Sequence, residues 1–354
     1  MKNLFFSLAL LVLISVSAHA VPMFAKKYDM SCVSCHTKPP ALNKMGKKFI
    51  RDGFKLSTYE KSSLEMLVTN KFSEKKVPLD LLYVSVYDKD VDSMIQKIKV
   101  HMGGSLTKSL SFLGFVSSGW YLNSKDATQR FFEEKTSMYY FQYGLNDSKH
   151  VFRLGSMFPL AQFGEVRRSQ RFAPFISKRY KKPSGYVSMG RIKGVEYSYL
   201  SDFGLLFIAN AGEEVFSKKD EYNVGLNYDI NDNLRIGALY NRLDDDNSFI
   251  FPLEIEYNAF SLNSVVFYKD NSGEKYKGLE NTFMYALPYM QQVRVMFNID
   301  NDSNRAYSFE YNKIFEPVLG VTLQLTGSVA KVEKIEGTKH INYDVFQIAG
   351  VLTF

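Results

Sequence analysis

Most of this chain alternates with period two. Tyr222, Val224, Leu226, Tyr228 and Ile230 interleave with Glu221, Asn223, Gly225, Asn227 and Asp229. After the short turn Asn231-Asp232-Asn233, Leu234, Ile236, Ala238 and Tyr240 alternate with Arg235, Gly237 and Asn241. Successive side chains of a strand point to opposite faces, so this is a hairpin with one apolar and one polar face. Similar runs recur at Val195 to Leu200, Leu253 to Ala259, Gln292 to Ile299, Ala306 to Ile314 and Val318 to Lys331. Beyond the N-terminal leader, no stretch supplies the roughly 18 consecutive apolar residues of a spanning helix. The pattern predicts an all-β chain of about 14 to 16 antiparallel strands, each roughly 9 to 11 residues, the length a tilted membrane-crossing strand requires.

Alternation also fits a soluble β-sandwich, and two features favour a transmembrane antiparallel β-barrel instead. Tyr222, Tyr228, Tyr240, Tyr257, Tyr268 and Tyr311 crowd the apolar face near strand ends, where interfacial girdles sit. The chain also stops on Phe354, and counting back by twos gives Leu352, Gly350, Ile348 and Phe346. That ending resembles the last-strand signature of bacterial outer-membrane barrels. Connections differ in length as a barrel requires. Ile230 to Leu234, Leu287 to Tyr289 and Phe315 to Pro317 are short, whereas 244–248, 270–274 and 301–304 are polar and looser. Aromatic residues at 15% and charged residues at 23% exclude a disordered polymer.

The first twenty residues carry Lys2, an apolar run from Leu4 to Val16 and the small-residue end Ala18-His19-Ala20, which read as a signal peptide cleaved before Val21. The formal charge of +7 falls by one when Lys2 leaves, a mild excess. With an export signal, it gives no reason to expect a nucleic-acid partner.

The cysteines are Cys32 and Cys35, in Ser31-Cys32-Val33-Ser34-Cys35-His36. This C-x-x-C-H spacing suits c-type haem attachment, in which each thiol forms a thioether to one vinyl group and His36 is the proximal iron ligand. A disulfide or thioredoxin-like pair is the competing reading, but it leaves His36 unexplained. The expected cofactor is one covalent haem c, held in a segment spanning residues 21–60 ahead of a barrel spanning 61–354. Pro39-Pro40 is expected to start a helix with Leu42, Met45 and Phe49 on one face, Lys44, Lys47, Lys48 and Arg51 on the other, and Gly53 at its end. So short a helix covers one haem face without enclosing it, which predicts that Val21 to Phe54 folds into or against the periplasmic opening of the barrel. Candidates for the distal ligand are His101, on the polar face of the run Met94 to Met102 with Lys97 and Lys99, and Met45 or Met30; an open sixth site is the remaining option.

The connection from Pro159 to Tyr186 carries Arg167, Arg168, Arg171, Lys178, Arg179, Lys181 and Lys182. It is expected either to line the lumen, meeting propionates or small anionic solutes, or to face outward as a basic loop.

The residues Phe24-Ala25-Lys26-Lys27-Tyr28, Cys32 to His36, Pro40-Ala41-Leu42-Asn43, Gly46, Phe49 and Gly53-Phe54 resemble the N-terminus of single-haem, porin-like outer-membrane cytochromes. Leu154-Gly155, Phe158-Pro159-Leu160 and Phe163-Gly164 are similar to the same group, while Met45 stands where that group has an aromatic residue. The resemblance implies haem c and an outer-membrane barrel in a Gram-negative bacterium, with outer-membrane lipid around it. The expected function is electron transfer with periplasmic or outer-membrane carrier proteins. The alternatives are a solute porin whose haem is a plug or sensor, and a haem enzyme acting on a small oxidant, although no catalytic acid–base or nucleophile constellation is present.

Overall fold

The computed structural model describes residues 24, 27–28, 30, 34–38, 41–56, 79–88, 93–123, 129–132, 138–145, 147–157, 191–215, 218–271, 274–288, 291–300, 305–318, 321–336 and 339–353. The leader with Val21, Met23, Cys32, the basic connection 159–186 and Phe354 lie outside them. A small hairpin comes first, β1 (His36–Lys38) and β2 (Ala41–Leu42), followed by α1 (Lys44–Arg51). The remaining elements are all strands: β3 (Leu79–Asp88), β4 (Ser93–Ser105), β5 (Leu110–Asn123), β6 (Gln129–Phe132), β7 (Met138–Leu145), β8 (His150–Met157), β9 (Ile192–Leu200), β10 (Leu205–Glu214) and β11 (Asp220–Asn231). They continue with β12 (Leu234–Leu243), β13 (Asp246–Tyr257), β14 (Phe260–Asn271), β15 (Glu274–Leu287), β16 (Gln291–Asp300), β17 (Arg305–Val318), β18 (Val321–Glu336) and β19 (Lys339–Thr353).

From β3 to β6 and from β7 to β19 each strand pairs antiparallel with the next, and β19 pairs with β3 from Gln347 opposite Asp88 to Thr353 opposite Leu82. That last pairing closes the sheet into a barrel. β5 pairs with β7 through Leu110 to Phe115 and with β6 through Ser118 to Tyr121, so β6 and β7 share one position and the ring has sixteen.

The side chains divide in the reverse of a water-soluble core. On β11, Tyr222, Val224 and Leu226 are 49%, 47% and 44% exposed, whereas Glu221 and Asn223 are 1% and 0% exposed. Arg153, Glu196, Asn210, Asn241, Arg294 and Glu310 are likewise buried on the inner face, and Phe141, Leu154, Val195 and Phe309 are exposed on the outer one. A sandwich would bury the apolar set, so the sandwich reading fails on this division. The tyrosines expected in girdles take the outer face, with Tyr222 and Tyr257 the most exposed among them.

Several expected boundaries shift. Phe315 to Pro317 is not a turn but lies inside β17, and the ladder loses register between Phe315 and Val318, since Pro317 has no N–H to donate. Val318 therefore ends β17, and β18 begins at Val321. The polar stretch at 244–248 is also tighter than expected, because Asp246 already pairs with Leu243. Asp244 supplies the left-handed turn residue, with φ 57°.

Three glycines meet across β8, β9 and β10. Gly155 pairs with Gly194, and Gly194 with Gly212. A Cβ on Gly194 would stand 2.1 Å from the Ala211 oxygen, and one on Gly155 would stand 2.3 Å from the Tyr139 oxygen. The backbones approach one another there more closely than any side chain permits.

Candidate functional site

Helix α1 lies in one mouth of the barrel, at the end carrying the turns 106–109, 147–149, 201–204 and 232–233. Asn43 sets its start. The side-chain oxygen of Asn43 accepts from the Gly46 amide at 2.9 Å, an N-cap that satisfies one of the first-turn donors. Pro39-Pro40 therefore does not open the helix as expected; the chain turns through β1 and β2 first. At the other end Gly53 adopts φ 70°, and the Phe54 amide donates to the Phe49 carbonyl at 2.9 Å. A left-handed residue past the last turn ends the helix, as the glycine predicts.

The same asparagine holds the haem-motif segment. Its Nδ2 donates to the Ser34 carbonyl at 2.9 Å and its amide donates to the Cys35 carbonyl at 3.0 Å. The Cys35 thiol is free and half-buried, and burial pushes its pKa up from 9.0. Cys32 lies outside the described residues, and for His36 only the backbone in β1 is described.

The segment docks on the wall through aromatic packing. Phe24, Phe49 and Phe54 form a cluster with Met138, Tyr140, Met157 and Ile192 of β7, β8 and β9, against which Leu113 and Phe115 of β5 pack. The Phe24 and Phe54 rings stack at 5.0 Å, and Phe24 meets Phe49 edge-on at 5.1 Å. Tyr28 meets Phe49 edge-on at 5.5 Å, and its hydroxyl donates to the Phe54 carbonyl at 2.6 Å. The buried face of α1 therefore runs through Gly46 and Phe49, while Met45, expected beside Phe49, is 41% exposed.

Polar contacts hold the rest. Gln142 Nε2 donates to the Ile50 and Arg51 carbonyls at 2.8 and 2.9 Å. Arg51 in turn donates to the Ser148 and Lys149 carbonyls of the β7–β8 turn at 2.6 and 3.1 Å, and Lys55 donates to the Lys108 carbonyl. On the opposite side Lys44 pairs with Asp232 at 2.9 Å and Lys47 with Glu254 at 3.8 Å. Burial pushes the Lys47 pKa down despite Glu254. Basic residues of the helix thus reach carboxylates and turn carbonyls of the wall on both sides of it.

Among the candidate distal ligands, His101 takes the polar, inner face of β4. Its ring stands edge-on to Phe115 at 5.2 Å, and Lys99 lies over the same Phe115 ring. Because Phe115 borders the aromatic cluster, His101 is beside the docked segment, whereas exposed Met45 points away from it. Met30 is half-buried. No sequence signal pointed to Gln142 or Asn43, whose roles depend on what folds against them.

Two thiols and an imidazole at C-x-x-C-H spacing form the donor set of haem c, and a half-buried Cys35 thiol held against the start of α1 by Asn43 fits it. Among the described residues there is no group of three or more His, Cys, Asp or Glu arranged to hold a bare metal ion.

No family profile and no curated protein matches the chain. Solved structures do. The chain is similar to Salmonella typhi OmpF in complex with daunomycin, with TM-score 0.53 and 12% identity over 78% of this chain and 96% of that one. A second likeness is to a structure titled for the asymmetric conductivity of engineered proteins, with TM-score 0.50 and 13% identity over 78% of this chain and 98% of that one. Pseudomonas aeruginosa OccK5 gives TM-score 0.49 at 13% identity, covering 78% of this chain and 96% of that one. At such identities the likeness defines the fold alone: an all-β, antiparallel barrel of porin type.

Proposed function

We propose that the chain is an outer-membrane, porin-like channel whose short-turn mouth, on the periplasmic side, is narrowed by an N-terminal plug bearing one covalent haem c. The observation that carries this reading is the inverted wall: apolar side chains cover the outside and ionised ones line the inside, with a helix seated among them. Only lipid makes an exposed apolar belt favourable, and a closed barrel satisfies every backbone group within it. The barrel likeness to OmpF supports a route for small solutes through the lumen.

Cys32 and Cys35 would hold the haem and His36 would ligate its iron from the proximal side; when bound, the group supplies one-electron transfer. The rest falls to this chain's residues. Asn43 fixes the cysteine turn to the helix, the aromatic cluster packs the helix against the wall, and Arg51 and Gln142 bind it there. Electron transfer with a periplasmic carrier follows as a second reading, supported by the placement of Cys35 at the mouth rather than deep in the barrel. A hydrocarbon core of about 30 Å is too thick for one haem to bridge, so transfer to the outer face requires a partner.

The test combines three measurements on one purified outer-membrane band: slower electrophoretic migration after boiling, haem staining after denaturation, and swelling of protein-loaded liposomes in small solutes. A stained, heat-modifiable band that swells liposomes is expected. A folded, soluble periplasmic product would overturn the reading.

A further inference from the structure

The positive charge left after the leader is removed sits in one place. Residues 21–56 hold eight basic and two acidic residues and residues 57–354 hold 35 of each, so the whole excess of six belongs to the segment with the cysteine motif. Within it α1 supplies Lys44, Lys47, Lys48 and Arg51 and no acid. The four turns around that mouth offset little of this, with Asp147, Asp202 and Asp232 against Lys108 and Lys149.

The four bases of the helix divide into two kinds. Lys47 reaches Glu254 of β13 at 3.8 Å and Arg51 donates to the Ser148 and Lys149 carbonyls, so these two seat the helix on the wall. Lys44 and Lys48 stand out in solvent. Their side chains are 89% and 72% exposed, and Met45 beside them is 41% exposed. Residues three and four apart neighbour each other on a helix surface, so the three form one face: an apolar side chain between two ammonium groups. Each lysine has a carboxylate within reach, Asp232 for Lys44 at 2.9 Å and Asp52 for Lys48. Pairs this exposed hold their members weakly, which leaves both ammonium groups able to turn to another molecule.

Two further observations tie this face to the haem motif. Lys44 directly follows Asn43, whose amide donates to the Cys35 carbonyl at 3.0 Å and whose side chain caps the helix. The helix is also fixed, by Gln142 and by the aromatic cluster, so the face is presented in one orientation. We propose that Lys44, Met45 and Lys48 form the docking face for a soluble one-electron carrier protein whose own redox group is rimmed by acidic residues. The inference rests on the haem reading of Cys32, Cys35 and His36 and names the partner of that site. Opposite charge steers such an encounter, and the small interfaces of transient redox pairs need no more than one exposed helix face. One electron passes from the reduced group of one protein to the oxidised group of the other, with no proton or third reactant.

The probes are flavodoxin, an acidic one-electron carrier, and mitochondrial cytochrome c, a basic one, each passed over the full-length haem-loaded protein immobilised in micelles of an uncharged detergent. At an ionic strength of about 0.01 M, where screening is weak, flavodoxin should associate and cytochrome c should not; at about 1 M the association should be lost. The Lys44→Glu, Lys48→Glu double variant should associate with flavodoxin roughly tenfold more slowly or worse. The Lys218→Glu, Lys219→Glu double variant, altered in the β10–β11 turn at the opposite end of the barrel, should match the wild-type protein. Met45→Ser should chiefly quicken dissociation. Heat-modifiable migration certifies that each variant is folded. Undiminished association in the folded Lys44, Lys48 variant overturns the proposal, as do equal slowing in the Lys218, Lys219 variant, a preference for cytochrome c, and a wild-type protein that self-associates through this face instead of binding flavodoxin. Haem is stained on the same sample, so failure of the haem reading shows as an unstained band and failure of the docking face as a stained protein indifferent to flavodoxin.

Discussion

Gln142 of the wall donates its side-chain amide to the main-chain carbonyl of Ile50 at 2.8 Å, joining the last turn of α1 directly to β7. Helix ends leave carbonyls without intrahelical partners, and here one 1%-exposed side chain serves both Ile50 and Arg51. Gln142→Leu should weaken docking of the segment by about 1–3 kcal/mol. Trypsin cleavage after Arg51 should then accelerate roughly 5- to 150-fold when opening and reclosing are fast relative to cleavage. An unchanged cleavage rate would mean that the segment is held elsewhere.

Gly53 and Phe54 act together. Both sit at positive φ, 70° and 64°. A Cβ on Gly53 would lie 2.7 Å from Ser111 Oγ, so Gly53→Ala meets both backbone strain and a steric clash. Phe54→Ala removes a 2%-exposed ring that stacks on Phe24, a loss of about 3–5 kcal/mol. Either change should expose the N-terminal segment to protease while the barrel keeps its heat-modifiable migration. Loss of the barrel itself in Phe54→Ala would show that the segment is needed for assembly.

Covalent haem attachment predicts that peroxidase staining survives denaturing electrophoresis and disappears in the Cys32→Ser, Cys35→Ser double variant. Staining that persists in that variant defeats the assignment. His101→Ala should convert a low-spin spectrum to high-spin if His101 is the distal ligand, and Met45→Ala should leave it unchanged.

In protein made without haem, burial holds the Cys35 thiol above its ordinary 9.0. The unfolded chain ionises first as pH rises, so stability is lost from about the ordinary thiol value upward through the higher folded value. Iodoacetamide labelling of a Cys32→Ser variant should have its midpoint above that of the same protein in urea. Coinciding midpoints would place Cys35 in open solvent.

The barrel was legible because period two survives any tertiary context: Tyr222 and Asn223 take opposite faces whether lipid or water surrounds the chain. The direction of that division was not in the pattern itself, which a sandwich shares, and rested on the tyrosines and the last strand. Boundaries failed where one residue overrode the pattern, as at Pro317, which lies within a strand at the point where the ladder loses register. The helix was legible from Gly53 but not from Pro39-Pro40, and its buried face was misassigned through Met45. Helical spacing names a stripe only when one side is covered, and here the wall reaches Phe49 from one side and Lys47 from another.

Gly194→Ala should stop assembly, since its Cβ would lie 2.1 Å from the Ala211 oxygen and 2.6 Å from the Gly212 Cα, backbone of the paired strand β10 that cannot give way as a side chain would. The variant should remain unfolded by migration without boiling. A normally folded band would mean that β9 and β10 can move apart.

Gly155, Gly194 and Gly212 are far apart along the chain, and nothing in their local sequences ties them together, yet each is closed to any larger residue by the backbone beside it. They form a joint fingerprint independent of the cysteine motif. A distant relative that has lost its haem segment but keeps this wall should still carry all three, and one that has kept the cysteines while replacing them must have rebuilt the wall on which the helix rests.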